Sequence, residues 1–225
     1  MCTMNNQTLY SSIMLGLALS TTAMAADYNS FLSPSSLGKD VKTVNSQYKL
    51  GLKKQESGSY SNSEAYDCSI DVDANSRNLI TRIRVLPNNE KCNYQATSSG
   101  VSFNSKNTKT VDILNQTKID DITFIPGCFN CPSRIELSDS LVINRPQDKY
   151  YTEFDITGYN RDYLSFMAKK LFGNFSQDDY YPTMDKLGDK LGNSPSSYNR
   201  KDFKLEAIKT YDLKQQPWGY AIALK

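Results

Sequence analysis

Between residues 66 and 85 the chain alternates apolar and polar side chains. Tyr66, Cys68, Ile70 and Val72 interleave with Asp67, Ser69, Asp71 and Asp73; after a polar turn at Ala74–Asn78, Leu79, Thr81, Ile83 and Val85 interleave with Ile80, Arg82 and Arg84. Period two on both sides of an Asn/Ser turn predicts an antiparallel hairpin with one buried face. The same alternation returns where Tyr150, Thr152, Phe154 and Ile156 interleave with Tyr151, Glu153, Asp155 and Thr157.

Other stretches carry the helical period. Leu37, Val41, Val44 and Tyr48 are spaced 4, 3, 4 behind Ser36, which predicts one helix. A second, short helix is expected over Lys106–Asn115 behind Ser105. Leu164, Met167, Leu171 and Phe172 stripe a third over Asn160–Phe172, with Asp162 in its first turn, Lys169 and Lys170 in its last and Gly173 after it. Met184, Leu187 and Leu191 mark a fourth, ended by Gly192, after a Tyr- and Asp-rich loop at Asn174–Pro182. Short strands are expected at Asp120–Ile125 and Ile135–Ile143, and Lys53–Asn62 reads as a linker. Phe203–Leu213 and Gly219–Leu224 read as a closing hairpin around Gln215-Gln216-Pro217, with Tyr220, Ile222 and Leu224 inward. The expected class is α+β: antiparallel sheets with a few helices on one face.

Tandem helix–strand–strand units follow from one internal match. Lys39–Val44 and Lys106–Val111 share four of six residues at an offset of 67, and near that offset the first hairpin falls on 134–157. One helix on one hairpin buries too little to stand alone, which is the physical reason for repetition. The expected division is 26–97, 98–158 with a CxxC loop, and 159–225.

Residues 1–25 hold no charged side chain. The apolar run Ile13–Ser20 precedes Ala23-Met24-Ala25, a small-x-small signature, so a signal peptide cut after Ala25 is expected, although it has no basic n-region. The run is too short to span a membrane. The expected location is the periplasm or the medium.

An exported chain with Cys68, Cys92, Cys128 and Cys131 is expected to form two disulfides. Cys68–Cys92 and Cys128–Cys131 are the favoured pairs among three. One geometric objection stands: if Lys91–Thr97 returned as a third strand, Cys68 and Cys92 would lie two strands apart, roughly 9–10 Å.

The element order, exported and in tandem, resembles the small outer-membrane assembly lipoproteins and β-lactamase-inhibitor-like proteins. Those begin their units with a small-residue cap and carry Leu-Gly-x-Pro near the helix end. Here Leu191-Gly192-Asn193-Ser194-Pro195 is one residue longer, and no lipid-attachment cysteine is present. The resemblance implies a protein-binding module of the envelope and carries over no functional residue.

Candidate chemistry is narrowed by composition. No histidine exists in 225 residues, which excludes Ser-His-Asp and Cys-His nucleophiles and His-ligated zinc or haem. The charges nearly cancel, 26 Lys+Arg against 24 Asp+Glu, so no polyanion partner such as nucleic acid is expected. Cys128-Phe129-Asn130-Cys131 is followed by Pro132 and a strand-like run, without the helix that would stabilise a thiolate, so a structural bridge is expected over a redox centre. Asp71-Val72-Asp73 mimics a calcium loop but lacks its glycine and closing glutamate, having Ser76 and Arg82. Asp120-Asp121 and Asp178-Asp179 are adjacent pairs, a spacing that does not set two carboxylates face to face. No metal, cofactor or catalytic residue is expected. Tyrosines crowd the C-terminal third, and Tyr180, Tyr181 and Trp218, read as loop residues, are the candidate contact surface. The expected function is an exported, non-enzymatic protein-binding module, as in an inhibitor or immunity protein. The alternatives are an envelope enzyme, either a thiol oxidoreductase or a carboxylate hydrolase, and a peptidoglycan-binding module.

Overall fold

The computed structural model describes residues 26–62, 66–129, 139–156, 160–192 and 195–225. The expected signal peptide, Cys131 and Ile135–Ser138 lie outside them. In chain order the elements are α1 (Tyr28–Phe31), α2 (Val41–Tyr48), β1 (Lys53–Lys54), β2 (Tyr60–Ser61), β3 (Cys68–Ala74), β4 (Ile80–Pro87), β5 (Gln95–Ser98) and β6 (Val101–Asn104). They continue with α3 (Thr110–Asn115), β7 (Ile122–Ile125), β8 (Asp139–Ile143), β9 (Tyr150–Ile156), α4 (Arg161–Phe172), α5 (Tyr180–Leu191), α6 (Lys201–Thr210) and β10 (Gly219–Leu224). The class is α+β.

Eight strands form one antiparallel sheet in the order β1-β2-β3-β4-β10-β9-β8-β7, and β5–β6 form a separate ribbon. The N-terminal strands β1–β4 and the later strands β7–β9 do not pair with each other. β10 lies between them, with Tyr220 opposite Val85 on one side and Phe154 on the other.

Two rows of side chains cross the sheet on its core face. Ile70, Val85, Tyr220, Phe154, Leu141 and Phe124 make the first; Val72, Ile83, Ile222, Thr152, Ile143 and Ile122 make the second. All are buried, and burying each large apolar side chain contributes about 1.5–3 kcal/mol. The β5–β6 ribbon lies over this face. Phe103 packs edge-on to Phe154 at 5.1 Å and stacks on Tyr220 at 6.0 Å, while the Ser98 and Thr152 hydroxyls meet at 2.6 Å. Near β7, the Tyr211 ring stacks on Phe124 at 5.4 Å, and the Tyr163 hydroxyl of α4 donates to the Phe124 carbonyl.

The alternation in the first hairpin breaks once. Ala74 pairs with Ile80 while Asp73 pairs with Arg82, so Thr81 is an extra residue on β4. The bulge turns Ile80 inward, fully buried, where strict alternation predicts Leu79. Asn75 shapes the turn, its side-chain oxygen accepting from the amides of Arg77 and Leu79.

Several boundaries differ from the sequence reading. α2 starts at Val41, capped by Asp40, whose Oδ1 accepts from the Thr43 amide at 2.9 Å; the stretch Pro34–Ser36 is a 3₁₀ turn instead. Lys53–Asn62 is not a linker, since β1 and β2 continue the sheet beyond β3. At the expected start of the second unit, Ser99 and Gly100, both at positive φ, close the β5–β6 hairpin.

The closing hairpin does not form. Lys201–Thr210 is helix, because Phe203, Ala207 and Tyr211 recur every four residues and are all buried, while Leu205 is 43% exposed. β10 therefore has no neighbouring strand in sequence and inserts at the sheet centre. Leu224, expected inward, is 40% exposed at its end. In α4 the buried stripe is Tyr163, Leu164, Met167 and Ala168; Phe172 lies outside it, 43% exposed.

Candidate binding cleft

Three segments converge at one end of the sheet around a cleft of about 690 Å³. The first follows β4. The Asn88 amide donates to the Asp67 carbonyl, the Cys92 amide donates to the Asn89 carbonyl, and Cys92 is bonded to Cys68 at the start of β3, with Cα atoms 4.9 Å apart. The favoured pairing is the one formed. The geometric objection fails because Lys91–Thr97 does not return beside β4; β10 takes that place, and Cys92 sits in a turn just past the strand.

The second segment follows β6. Tyr94 and Ser105 lock it, the Ser105 amide donating to the Tyr94 carbonyl and the Tyr94 amide to the Ser105 hydroxyl. The third is 212–218. Helix α3 needs acceptors for its first amides, and this loop supplies them: Thr110 N donates to Gln215 O and Val111 N to Leu213 O. At its other end, Trp218 is held by its edges, the backbone amide donating to Asp155 O at 2.9 Å and the indole Nε1 to Ile156 O at 3.3 Å. The indole remains 40% exposed. Lys106 ties the walls together: its ammonium donates to the Glu90 carbonyl, and its own carbonyl accepts from the Gln216 side chain.

The lining is polar and basic. Lys106, Lys109 and Lys214 face it with Glu90, and none of the three lysines forms a salt bridge among the described residues. The amide nitrogens of its asparagines and glutamines are already engaged, Asn88 on Tyr66 O, Asn89 on Asp67 Oδ1, Gln215 on Asp212 Oδ2 and Gln216 on Lys106 O. Its cysteine is oxidised. Burial pushes the Tyr94 phenol far above its ordinary range, so it stays protonated and offers no base. The arrangement can hold a ligand against Trp218 and the two exposed cations Lys109 and Lys214, and its lining contains no paired nucleophile and base.

Of the expected contact residues, only Trp218 lines this cleft. Tyr180 and Tyr181 are not in a loop; they open α5. Tyr180 is buried beneath Arg161, whose guanidinium lies 4.4 Å from its ring centre, with Phe175 and Tyr181 alongside. Tyr181 is 60% exposed. Cys128 is disulfide-bonded, and Cys131 lies outside the described residues. Phe129 packs on Gly188 of α5, where an added Cβ would come within 3.2 Å of the ring. Asp71 and Asp73 stand on the outer face of β3 beside Arg84 and Arg82. Among the described residues no three acidic or thiol groups gather as metal ligands. Asp120 and Asp121 lie within the 3₁₀ turn Ile119–Asp121, a segment tied down by Lys204, which donates to the Ile119 and Asp120 carbonyls.

Lys106, Lys109, Lys214 and the flanking amides were not legible as a group, since Lys214, Gln215 and Gln216 come from over a hundred residues beyond the other two walls. The one available signal was Gln215-Gln216-Pro217-Trp218, polar residues ending in the only tryptophan of the chain. No family model, no curated protein and no solved structure matches this chain.

Proposed function

We propose that this chain is an exported, non-enzymatic binding protein of the bacterial cell envelope, one that takes another envelope or secreted protein at the Trp218 cleft. The observation that carries the reading is Trp218, a large aromatic held by two backbone hydrogen bonds yet left 40% exposed at a concave site. A rigid, part-exposed aromatic is the usual anchor of a protein interface. Export is supported by the apolar segment before Ala25 and by the Cys68–Cys92 bond, and no helix among the described residues is long and apolar enough to cross a membrane. An inhibitor or immunity role is the form this binding is expected to take.

The test is site-specific photo-crosslinking in the envelope of the producing cell. A photoreactive residue at Gln215 should give a discrete adduct that Trp218→Ala removes, while one at Tyr181 should give none of that mass. An adduct that persists in Trp218→Ala, or its absence at Gln215, overturns the reading.

A further inference from the structure

The cleft holds more positive charge than its own structure uses. Lys109 and Lys214 are exposed and stand on two different walls; their backbone amides donate to Asp112 and Asp212, but neither ammonium forms a salt bridge among the described residues. Lys106 satisfies only a carbonyl. Glu90 is the single acid of the lining, against three lysines. The chain as a whole carries a formal charge of only +2, so this excess is a local feature.

Resting on the reading of the cleft as a binding site, we infer that the segment it accepts is an acidic stretch of polypeptide, whose carboxylates meet Lys109 and Lys214 while an apolar side chain covers Trp218. Charge complementarity fixes the sign of the ligand. The polar groups favour peptide over acidic glycan. Sugar recognition needs donors and acceptors of fixed direction for many hydroxyls, and here each of the four side-chain amide nitrogens already gives one of its two N–H donors to the protein. Lysine ammoniums on long stems are point charges without a planar fork. They suit carboxylates on a flexible chain, whose positions vary, better than a rigid ring. Trp218 with the buried Pro217 beside it supplies the apolar wall that a peptide anchor needs.

The only tryptophan of the chain lies in the cleft, so its fluorescence, excited beyond the tyrosine absorption, reports this site alone. The probes are a synthetic Glu/Asp-rich peptide carrying one leucine, the same peptide with Gln/Asn in place of the acids, and an oligogalacturonate. The acidic peptide should give a saturable change, weakened at least about tenfold by Lys109→Gln/Lys214→Gln, and weakened further as salt screens the contact. Circular dichroism of the double variant establishes that it is folded. Equal binding of the neutral peptide overturns the inference, as does a response to the oligogalacturonate alone, which would make the ligand a glycan. A crosslinked partner at Gln215 with no response to the acidic peptide removes this inference and leaves the binding reading in place. Failure of both removes both.

Discussion

Arg84 and Asp155 meet across a strand that belongs to neither of them. The Arg84 guanidinium on β4 passes over β10 and reaches the Asp155 carboxylate on β9, Nη2 to Oδ2 at 2.9 Å. Arg82 does the same toward Glu153 at 3.3 Å, and Ser140 steadies Glu153 from β8. The outward side chains of β10 are Gly219, Ala221 and Ala223, small enough to lie beneath these bridges. That is why Ala221 and Ala223 are 2% and 5% exposed on the outer face of the sheet.

Gly219 is required by this bridge. A Cβ there would lie 2.1 Å from Asp155 Oδ2 and 2.7 Å from Leu86 Cδ2, and the carboxylate cannot swing away without leaving Arg84. Gly219→Ala is expected to destabilise the fold by about 1–3 kcal/mol, the cost of overpacking a tight site. A shift of the urea midpoint measures it. Gly58→Ala is the comparison for backbone strain alone: its Cβ would meet nothing within 4 Å, but its φ of +91° disfavours a side chain.

Removing Arg84 takes its guanidinium away from the Asp155 carboxylate, whose side chain is 5% exposed. Breaking a fully buried pair costs about 3–5 kcal/mol; with Arg84 itself 30% exposed, Arg84→Met is expected to cost about 2–3 kcal/mol. Adding Asp155→Asn should recover part of the loss. A double-mutant cycle by chemical denaturation reads the coupling, and additive losses would show that the two residues act separately.

The Cys68–Cys92 bond closes a loop with a sequence separation of 24. Cys68→Ser/Cys92→Ser is expected to cost about 3 kcal/mol through loop entropy in the unfolded chain. Because Cys92 lines the cleft, the same variant should also broaden the Trp218 emission in the folded state. Thermal denaturation and fluorescence, each with and without reductant on the parent protein, separate the two effects.

Lys204 is 3% exposed, and burial lowers its pKa below the ordinary lysine value, with the carboxylates of Asp120 and Asp121 opposing the shift. The unfolded chain therefore binds this proton more readily than the folded one. Between the lowered value and the ordinary one, stability should gain with rising pH, and below both values the penalty is fully present. Lys204→Met should abolish that slope, while losing the two bonds to the 119–120 carbonyls. Denaturation midpoints of parent and variant across the alkaline range test the sign. An unchanged slope would assign the pH dependence elsewhere.

Local periodicity was readable wherever one face meets the core. The registers of β3 and β9 follow their alternation, and α4 and α5 follow their 3.6-residue stripes with Asn160 and Gly173 at the ends of α4. The failures are at places where a distant partner decides. Phe203, Leu205 and Ala207 fit the alternation of a strand as well as a helix, and the helical spacing appears only when Tyr211, which stacks on Phe124, is counted with Phe203 and Ala207. The bulge at Thr81 leaves no mark in composition. Tyr180 looked like a loop residue until α5 placed it under Arg161. The cleft was the least legible part, because Lys214 lies far in sequence from Lys106 and Lys109 and meets their wall only through tertiary bonds, those of the 213–215 carbonyls to the amides of α3 and of the Gln216 side chain to the Lys106 carbonyl.

The place of β10 bears on how the molecule is made. A ribosome delivers β4 and β9 well before residues 219–224, and each then waits with a bare edge toward the missing strand. Neither half can complete its rows, and pairing over such sequence distances is slow. Without residues 219–224 the rows stop at Val85 and Ile83 on one side and at Phe154 and Thr152 on the other, so losing this strand should cost the sheet its continuity rather than trim an edge.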